Sequence, residues 1–264
     1  MALEITSLKN PRIKNLINLQ KAKARREEGL FIVEGIREIS LAQQSGFELD
    51  SLFICPEVYK ADVNYPIELL SNDILHLPQA IFAKVAYREN TGGIIAVAKS
   101  KSLDLKNLPA KENPLYLILE KVEKPGNIGA MLRTADAAGV DAVIICDQAA
   151  DFYNPNVIRS SVGCVFTVAV AVATNEEVLA WCKNQNVQIF GTALTASVNY
   201  TTVDYTKACA ILMGSESFGL SDFWLKNSSQ NIIIPMAGKI DSMNVSNAAA
   251  ITIFEAVRQR GDNF

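Results

Sequence analysis

The sequence predicts an α/β protein: a parallel sheet flanked by helices, preceded by a smaller α/β unit. Three observations carry this expectation. LYLILE (115–120), DAVIICD (141–147), VQIFGTAL (187–194), ACAILMG (208–214) and NIIIPM (231–236) are near-continuous apolar runs, the pattern of strands buried on both faces. Helical stretches at 128–139, 175–185 and 244–260 fall between and after them, as parallel crossovers require. The polar, two-proline stretch SKSLDLKNLPAKENP (100–114) separates this half from the preceding one. The expected organisation is a first domain over 1–100, a linker over 101–113 and a second domain over 114–264.

The first half opens on local charge. Between Lys9 and Arg37 stand eight basic residues against three acidic ones, a local +5 in a chain of net charge −3. Leu16, Leu19, Lys23 and Arg26 follow helical spacing, which predicts a basic helix with a short apolar seam. A solvated surface helix is the plain alternative to a nucleic-acid contact. LFIVEG (30–35) reads as a strand, IREISLAQQSG (36–46) as a helix stopped by glycine, and LDSLFIC (49–55) as a second strand. ILHLP, QAIFAKVAY and GIIAVAK (93–99) predict a further strand, helix and strand. In the second half IGAMLRTADAAG (128–139) is a helix ending at glycine, and VGCVFTVAVAVA (162–173) a helix end running into a strand. NEEVLAWCKNQ (175–185) and NVSNAAAITIFEAVRQR (244–260) are the remaining helices.

Composition excludes several chemistries. The 264 residues are 49% apolar and 20% charged, a globular balance with core enough to need no staples. An overall acidic chain is no general polyanion binder, so a nucleic-acid surface must be local. The single histidine, His76, rules out paired-histidine zinc sites and reads as structural between Leu75 and Leu77. Five scattered cysteines without Cys-x-x-Cys suggest reduced core thiols, a cytoplasmic location and no metal. No apolar run is long enough for a membrane span, and no signal-peptide core is visible at the N-terminus.

Four loops could carry chemistry at the carboxyl ends of the predicted strands. KVEKPGNIGAMLRTAD (121–136) is a tight strand-to-helix loop. It lacks both Gly-x-Gly-x-x-Gly and the phosphate-loop pattern, which disfavours nicotinamide dinucleotides and ATP. Arg133 follows on the helix and needs an anion, carbonyls, or Asp136 at i+3. DFYNPNVIRSSVG (151–163) offers Arg159 near a helix start. GSESFGLSD (214–222) places Glu216 between two serines. IPMAGKIDSMNVSNAAA (234–250) brings Ser242, Asn244, Ser246 and Asn247 before a small-residue helix, where capping by Asn244 or Ser246 is the bland reading.

Taken together, KPGNIGAMLRTADAAG, NPNVIRSSVG, GSESFGL and IPMAGKIDSMNVSNAAAITIFEAVRQR resemble the ordered motifs of the SpoU (TrmH-type) RNA 2'-O-ribose methyltransferases of the SPOUT class. The resemblance spans 115–260. TSLKNPRIKNLINLQKAKARREEGLFIVEG is similar to the ribosomal-protein-like RNA-binding domain that precedes the catalytic domain in ribosomal RNA members. The resemblance implies a C-terminal trefoil knot, a homodimer, S-adenosyl-L-methionine as cofactor, no metal, and RNA as substrate, with large-subunit ribosomal RNA favoured over tRNA. A non-catalytic RNA-binding or ribosome-assembly protein on the same fold is the alternative from another class. The implied cofactor pocket is Thr192, Ala193, Leu194, Gly214, Ile234, Met236 and Met243. The implied catalytic group is Arg133 with Asn127, Glu216, Ser242 and Asn244. A guanidinium stays protonated, so Arg133 suits electrostatic stabilisation or a phosphate clamp better than proton removal. Lys9, Arg12, Lys23, Arg25, Arg26 and Arg159 are the expected RNA contacts. Ser215 and Ser217-Phe218 depart from the smaller or acidic residues common in relatives.

Overall fold

The basic N-terminal stretch folds into two short helices, where its spacing predicted one. In this computed structural model, which describes residues 3–61, 66–67, 71, 73–87, 92–147, 151–195 and 197–261, a short strand β1 (Leu3–Glu4) comes first. The Asn10 side chain caps α1 (Pro11–Asn18), and Pro11 sits where a missing N–H costs nothing. α2 (Ala22–Glu28) follows and ends at Gly29, whose φ of 64° is the left-handed conformation that glycine adopts without strain. The break lets Arg25 fold back. Its Nη1 donates to the Leu19 carbonyl at 2.6 Å, a group the end of α1 leaves without a helical partner.

β2 (Leu30–Glu34), α3 (Ile36–Gln44), β3 (Leu49–Ile54), β4 (Ile74–His76), α4 (Gln79–Val85) and β5 (Ile94–Lys99) complete this half. The five-stranded sheet has the order β1-β4-β3-β5-β2, with β5 antiparallel to both neighbours. Ile13, Leu16 and Leu19 pack with Phe53, Leu75 and Phe82 in its core. The apolar seam of the basic stretch is thus a docking face.

Residues 105–107 form a single 3-10 turn, and Leu105 and Leu108 pack against the core of the second half. The stretch expected as a linker therefore belongs largely to that half, in the same compact unit. β6 (Leu115–Glu120) is buried at every position. α5 (Pro125–Ala137) begins three residues before the predicted start, because Pro125 takes its first position. β7 (Ala142–Cys146) follows.

The chain then makes an excursion that the sequence did not announce. α6 (Pro155–Ser160) and α7 (Cys164–Thr167) lie in a segment, 151–167, that packs with residues 1–101 rather than with the sheet on either side of it. Tyr153 stacks on Phe31 with ring centroids 4.3 Å apart, and Phe166 meets Phe47 edge-on at 5.1 Å. Aromatic partners so distant in sequence leave no local periodicity to read. The compact units are Met1–Lys101 with Asp151–Thr167, and Ser102–Ala150 with Val168–Phe264.

β8 (Val170–Ala173), α8 (Asn175–Asn184), β9 (Gln188–Thr192), β10 (Val198–Asn199), β11 (Cys209–Met213), α9 (Asp222–Asn227), β12 (Gln230–Ile233) and α10 (Val245–Arg260) finish the second unit. Thr174 and Glu177 close a capping box on α8. Its seven strands are all parallel, in the order β10-β12-β9-β11-β6-β7-β8. α8 and Trp224 of α9 cover the face bearing Tyr116, Ile118, Ile144 and Leu212, while α10 packs on α5 and β11. Parallel register aligns the carboxyl ends of β12, β9, β11 and β6 side by side, and the candidate site lies beyond them.

Candidate active site

The loop after β11 is held at both ends. Gly214 lies so close to Gly219 that any Cβ would run into the Gly219 carbonyl carbon. Ser215 and Gly219 exchange two backbone hydrogen bonds of 3.0 Å, and Gly219 turns the chain at φ 68°. Glu216 reaches across to the start of α5. Its carboxylate accepts from the backbone N–H of Glu123 (2.9 Å) and Lys124 (3.2 Å) and from the Asn127 amide (2.6 Å). Burial alone would push this carboxyl up, but the three donors outweigh it and hold its pKa below the usual glutamate range. At the far end, the Ser221 N–H donates to buried Glu120 at 2.8 Å. Asn175 donates to Glu120 and Asp147 and accepts from the Trp224 indole at 2.7 Å.

The chain of side chains continues into the fourth loop. Asn244 Nδ2 donates to Asn127 Oδ1 at 3.2 Å, while its own Oδ1 caps α10 by accepting from the Ser246 N–H at 2.8 Å. Capping and site-building are therefore both true of Asn244. Glu216, Asn127 and Asn244 tie three loops into one wall.

That wall borders a cleft of about 570 Å³, within the ordinary range for small-molecule sites. All seven residues expected to bind cofactor (Thr192, Ala193, Leu194, Gly214, Ile234, Met236 and Met243) line it, as do Glu216, Ser242 and Asn244. Lys124, at the N-cap of α5, and Phe218 line it too, and the sequence motifs marked neither as a site residue. Pro125 at a helix start is the signal that would have placed Lys124 there. Glu120, an acid closing an apolar strand, was the readable sign of the buried anchor.

The expected residues differ in their surroundings. Asn127 is buried behind the wall. Ser242 bonds only to Asp241 among the described residues. Arg133 is exposed on α5, outside the residues lining the cleft, with no hydrogen bond or ion pair to a described side chain. The burial cost expected for it from sequence thus does not arise. Arg25 departs from the expectation. Its side chain is 3% exposed and paired with Asp151 at 2.5 Å, so it is a structural cation inside the first unit and presents nothing to RNA. Lys9, Lys23, Arg26 and Arg159 are exposed, and Arg12 is engaged by Asp73. Four of the five cysteines are buried and none forms a disulfide; burial pushes the Cys182 thiol up to about 12. Among the described residues no helix could cross a membrane and no cluster of His, Cys, Asp or Glu could hold a metal ion.

The SpoU rRNA methylase family pattern matches residues 114–254, the segment that builds this cleft. The chain belongs to the SpoU family. An MRM3-like substrate-binding domain matches residues 10–96, within the first unit. The chain is 32% identical to a Streptomyces viridochromogenes 23S rRNA (uridine(2479)-2'-O)-methyltransferase over 89% of its own length and 85% of that protein's. It is 29% identical to the Bacillus subtilis 23S rRNA (guanosine(2553)-2'-O)-methyltransferase RlmP, over 95% and 98% of the two chains. Among solved structures, an AdoMet-bound rRNA methyltransferase from Sinorhizobium meliloti superposes with a TM-score of 0.89 at 31% identity, covering 97% of this chain and 98% of that one. An RNA 2'-O ribose methyltransferase superposes at 0.85 with 37% identity, over 98% and 99%. The SpoU members thus share the parallel α/β fold seen here.

Proposed function

We propose that this protein transfers a methyl group from S-adenosyl-L-methionine to the 2'-hydroxyl of a ribose in RNA, with large-subunit ribosomal RNA as its substrate. The observation that carries the reading is the cleft. The segments that follow β6, β9, β11 and β12 of a SpoU chain converge on it, whereas the expected loop 151–163 lies in the first unit and lines none of it, and every residue named for the cofactor lines it. The donor set suits this cofactor. Leu220, Leu225, Ile232 and Met243 supply apolar wall for an adenine, and the Gly214 and Ile234 segments bring main chain to the surface. Glu216, held ionised, favours a ligand that carries positive charge. Bound there, the cofactor supplies an electrophilic methyl group on a sulfonium.

The chain's own residues then position and stabilise. Asn127 and Asn244 fix the wall so that the loops need not reorganise on binding. Arg133, exposed and without an internal partner among the described residues, is available to a substrate phosphate or to the charge developing on the 2'-oxygen. Lys9, Lys23 and Arg26 on the first unit and Arg159 on α6 are the exposed cations we assign to RNA phosphate. We also read the chain as a homodimer, as its resemblance to the family implies; α10, with Ile251 and Phe254 exposed one turn apart, permits that pairing. The test is direct. Purified protein is given labelled cofactor and an unmodified 23S rRNA transcript, and 2'-O-methyl sites are mapped by primer extension at low nucleotide concentration. One new stop is expected; cofactor binding without any ribose methylation refutes the reading.

A further inference from the structure

Phe218 is the most exposed large apolar side chain among the described residues, 89% exposed, and it stands on a loop with little freedom to hide it. The loop is closed on itself by the Ser215–Gly219 pair, and Phe218 N–H donates to Ser215 Oγ at 3.1 Å. On one side Ser217 Oγ donates to Glu123 at 3.2 Å and Glu216 grips the start of α5. On the other side Ser221 is tied to buried Glu120. Exposing a phenyl ring is unfavourable, and a floppy loop would fold it down onto the neighbouring apolar wall. Here the anchors hold the ring out at the rim of the cleft, with Leu194, 57% exposed, lining the same cleft.

We infer that Phe218 is a stacking platform for an unpaired nucleobase of the RNA, one that flanks or includes the methylated nucleotide. The inference rests on the function proposed above and adds a specificity-determining contact to it. Ribose 2'-oxygens at this cleft bring their bases within reach of its rim, and every base has a π-face that a rigid, presented ring can take. Protein recognition of single-stranded RNA relies on such rings. Lys124, a cation lining the same cleft, complements the RNA backbone there.

The test separates a ring from a merely apolar side chain, and RNA binding from cofactor binding. Phe218→Ala is expected to raise KM for an unmodified 23S rRNA transcript roughly tenfold, as loss of one stacked base implies. Phe218→Tyr should restore it and Phe218→Leu should not. Cofactor affinity by calorimetry should change less than about twofold across the set, since RT ln 2 is well under the worth of one stacked base. Phe218→Trp provides a readout that needs no catalysis: its added emission, measured against wild type, should be quenched by the same transcript. Equal KM for the Leu and wild-type proteins, or unquenched indole emission from the Phe218→Trp protein, overturns the inference. So does loss of cofactor affinity in Phe218→Ala, which would make the ring a cofactor wall, or a change in oligomeric state, which would make it an interface between copies. Failure of the proposed function looks different: wild type would methylate nothing while the quenching remained to be scored.

Discussion

Replacing Glu216 by Gln probes the wall of the cleft at its hub. The carboxylate accepts three hydrogen bonds, two from backbone N–H groups at the start of α5 and one from Asn127. A glutamine turns one of those oxygens into a donor, so at least one N–H meets an N–H. Charge-assisted bonds of this kind contribute about 1.5–3 kcal/mol when shielded. Two of the three are open to water, so we expect the lower end, about 1–2 kcal/mol in total. For a unit of this size that is roughly 2–8 °C in Tm. Differential scanning calorimetry of wild type and Glu216→Gln at pH 7 reads it, and cofactor affinity should fall with it. The sign with pH is fixed. The folded-state pKa lies below the ordinary value of 4.5, so the advantage of wild type is fully present above about pH 4.5 and is lost as pH falls through the depressed folded value. Equal Tm values at pH 7 with unchanged cofactor affinity, or a wild-type advantage that grows toward acid, would refute the assignment of Glu216 as the hub.

Two further sets of substitutions test the electrostatics. Arg133→Ala should leave cofactor affinity intact and lower methyl transfer by roughly 10²–10³, the usual loss when one preorganised donor to developing charge is removed; single-turnover kinetics at saturating RNA measures this. Lys23→Gln with Arg26→Gln should shallow the salt dependence of RNA binding by roughly 0.7 for each phosphate charge no longer neutralised, without changing Tm. Arg25→Met should do the reverse, costing about 3–5 kcal/mol of stability by stranding Asp151, as a urea titration would show, with the salt slope unmoved.

The contrast between Arg25 and Lys23 also marks what the sequence can and cannot carry. A charge count treats neighbouring cations alike. Whether one is buried depends on Asp151, a residue 126 positions away that no local pattern connects to it. The parallel strands were legible because strands covered on both faces must be apolar throughout, and LYLILE is. The antiparallel pairing of β2 and β3 with β5 was not, since short apolar runs of either orientation look alike. In the site, motif order named Asn127, Glu216 and Asn244, but only coordinates show that they bond to one another. Arg133 was named by the same motif and yet stands outside the cleft within a single chain.

The excursion of 151–167 has a consequence for how the polypeptide is made. Phe31 and Phe47 find Tyr153 and Phe166 only after the ribosome has emitted about 120 residues beyond them. The N-terminal half therefore waits, its aromatic surface uncovered, until the first two strands of the other sheet have been synthesised. A fragment cut at residue 113 would inherit that uncovered surface permanently. Splitting this protein into its halves, whether by a trimmed gene or a protease, strands Phe31 and Phe47 in water and leaves their cover attached to the wrong piece.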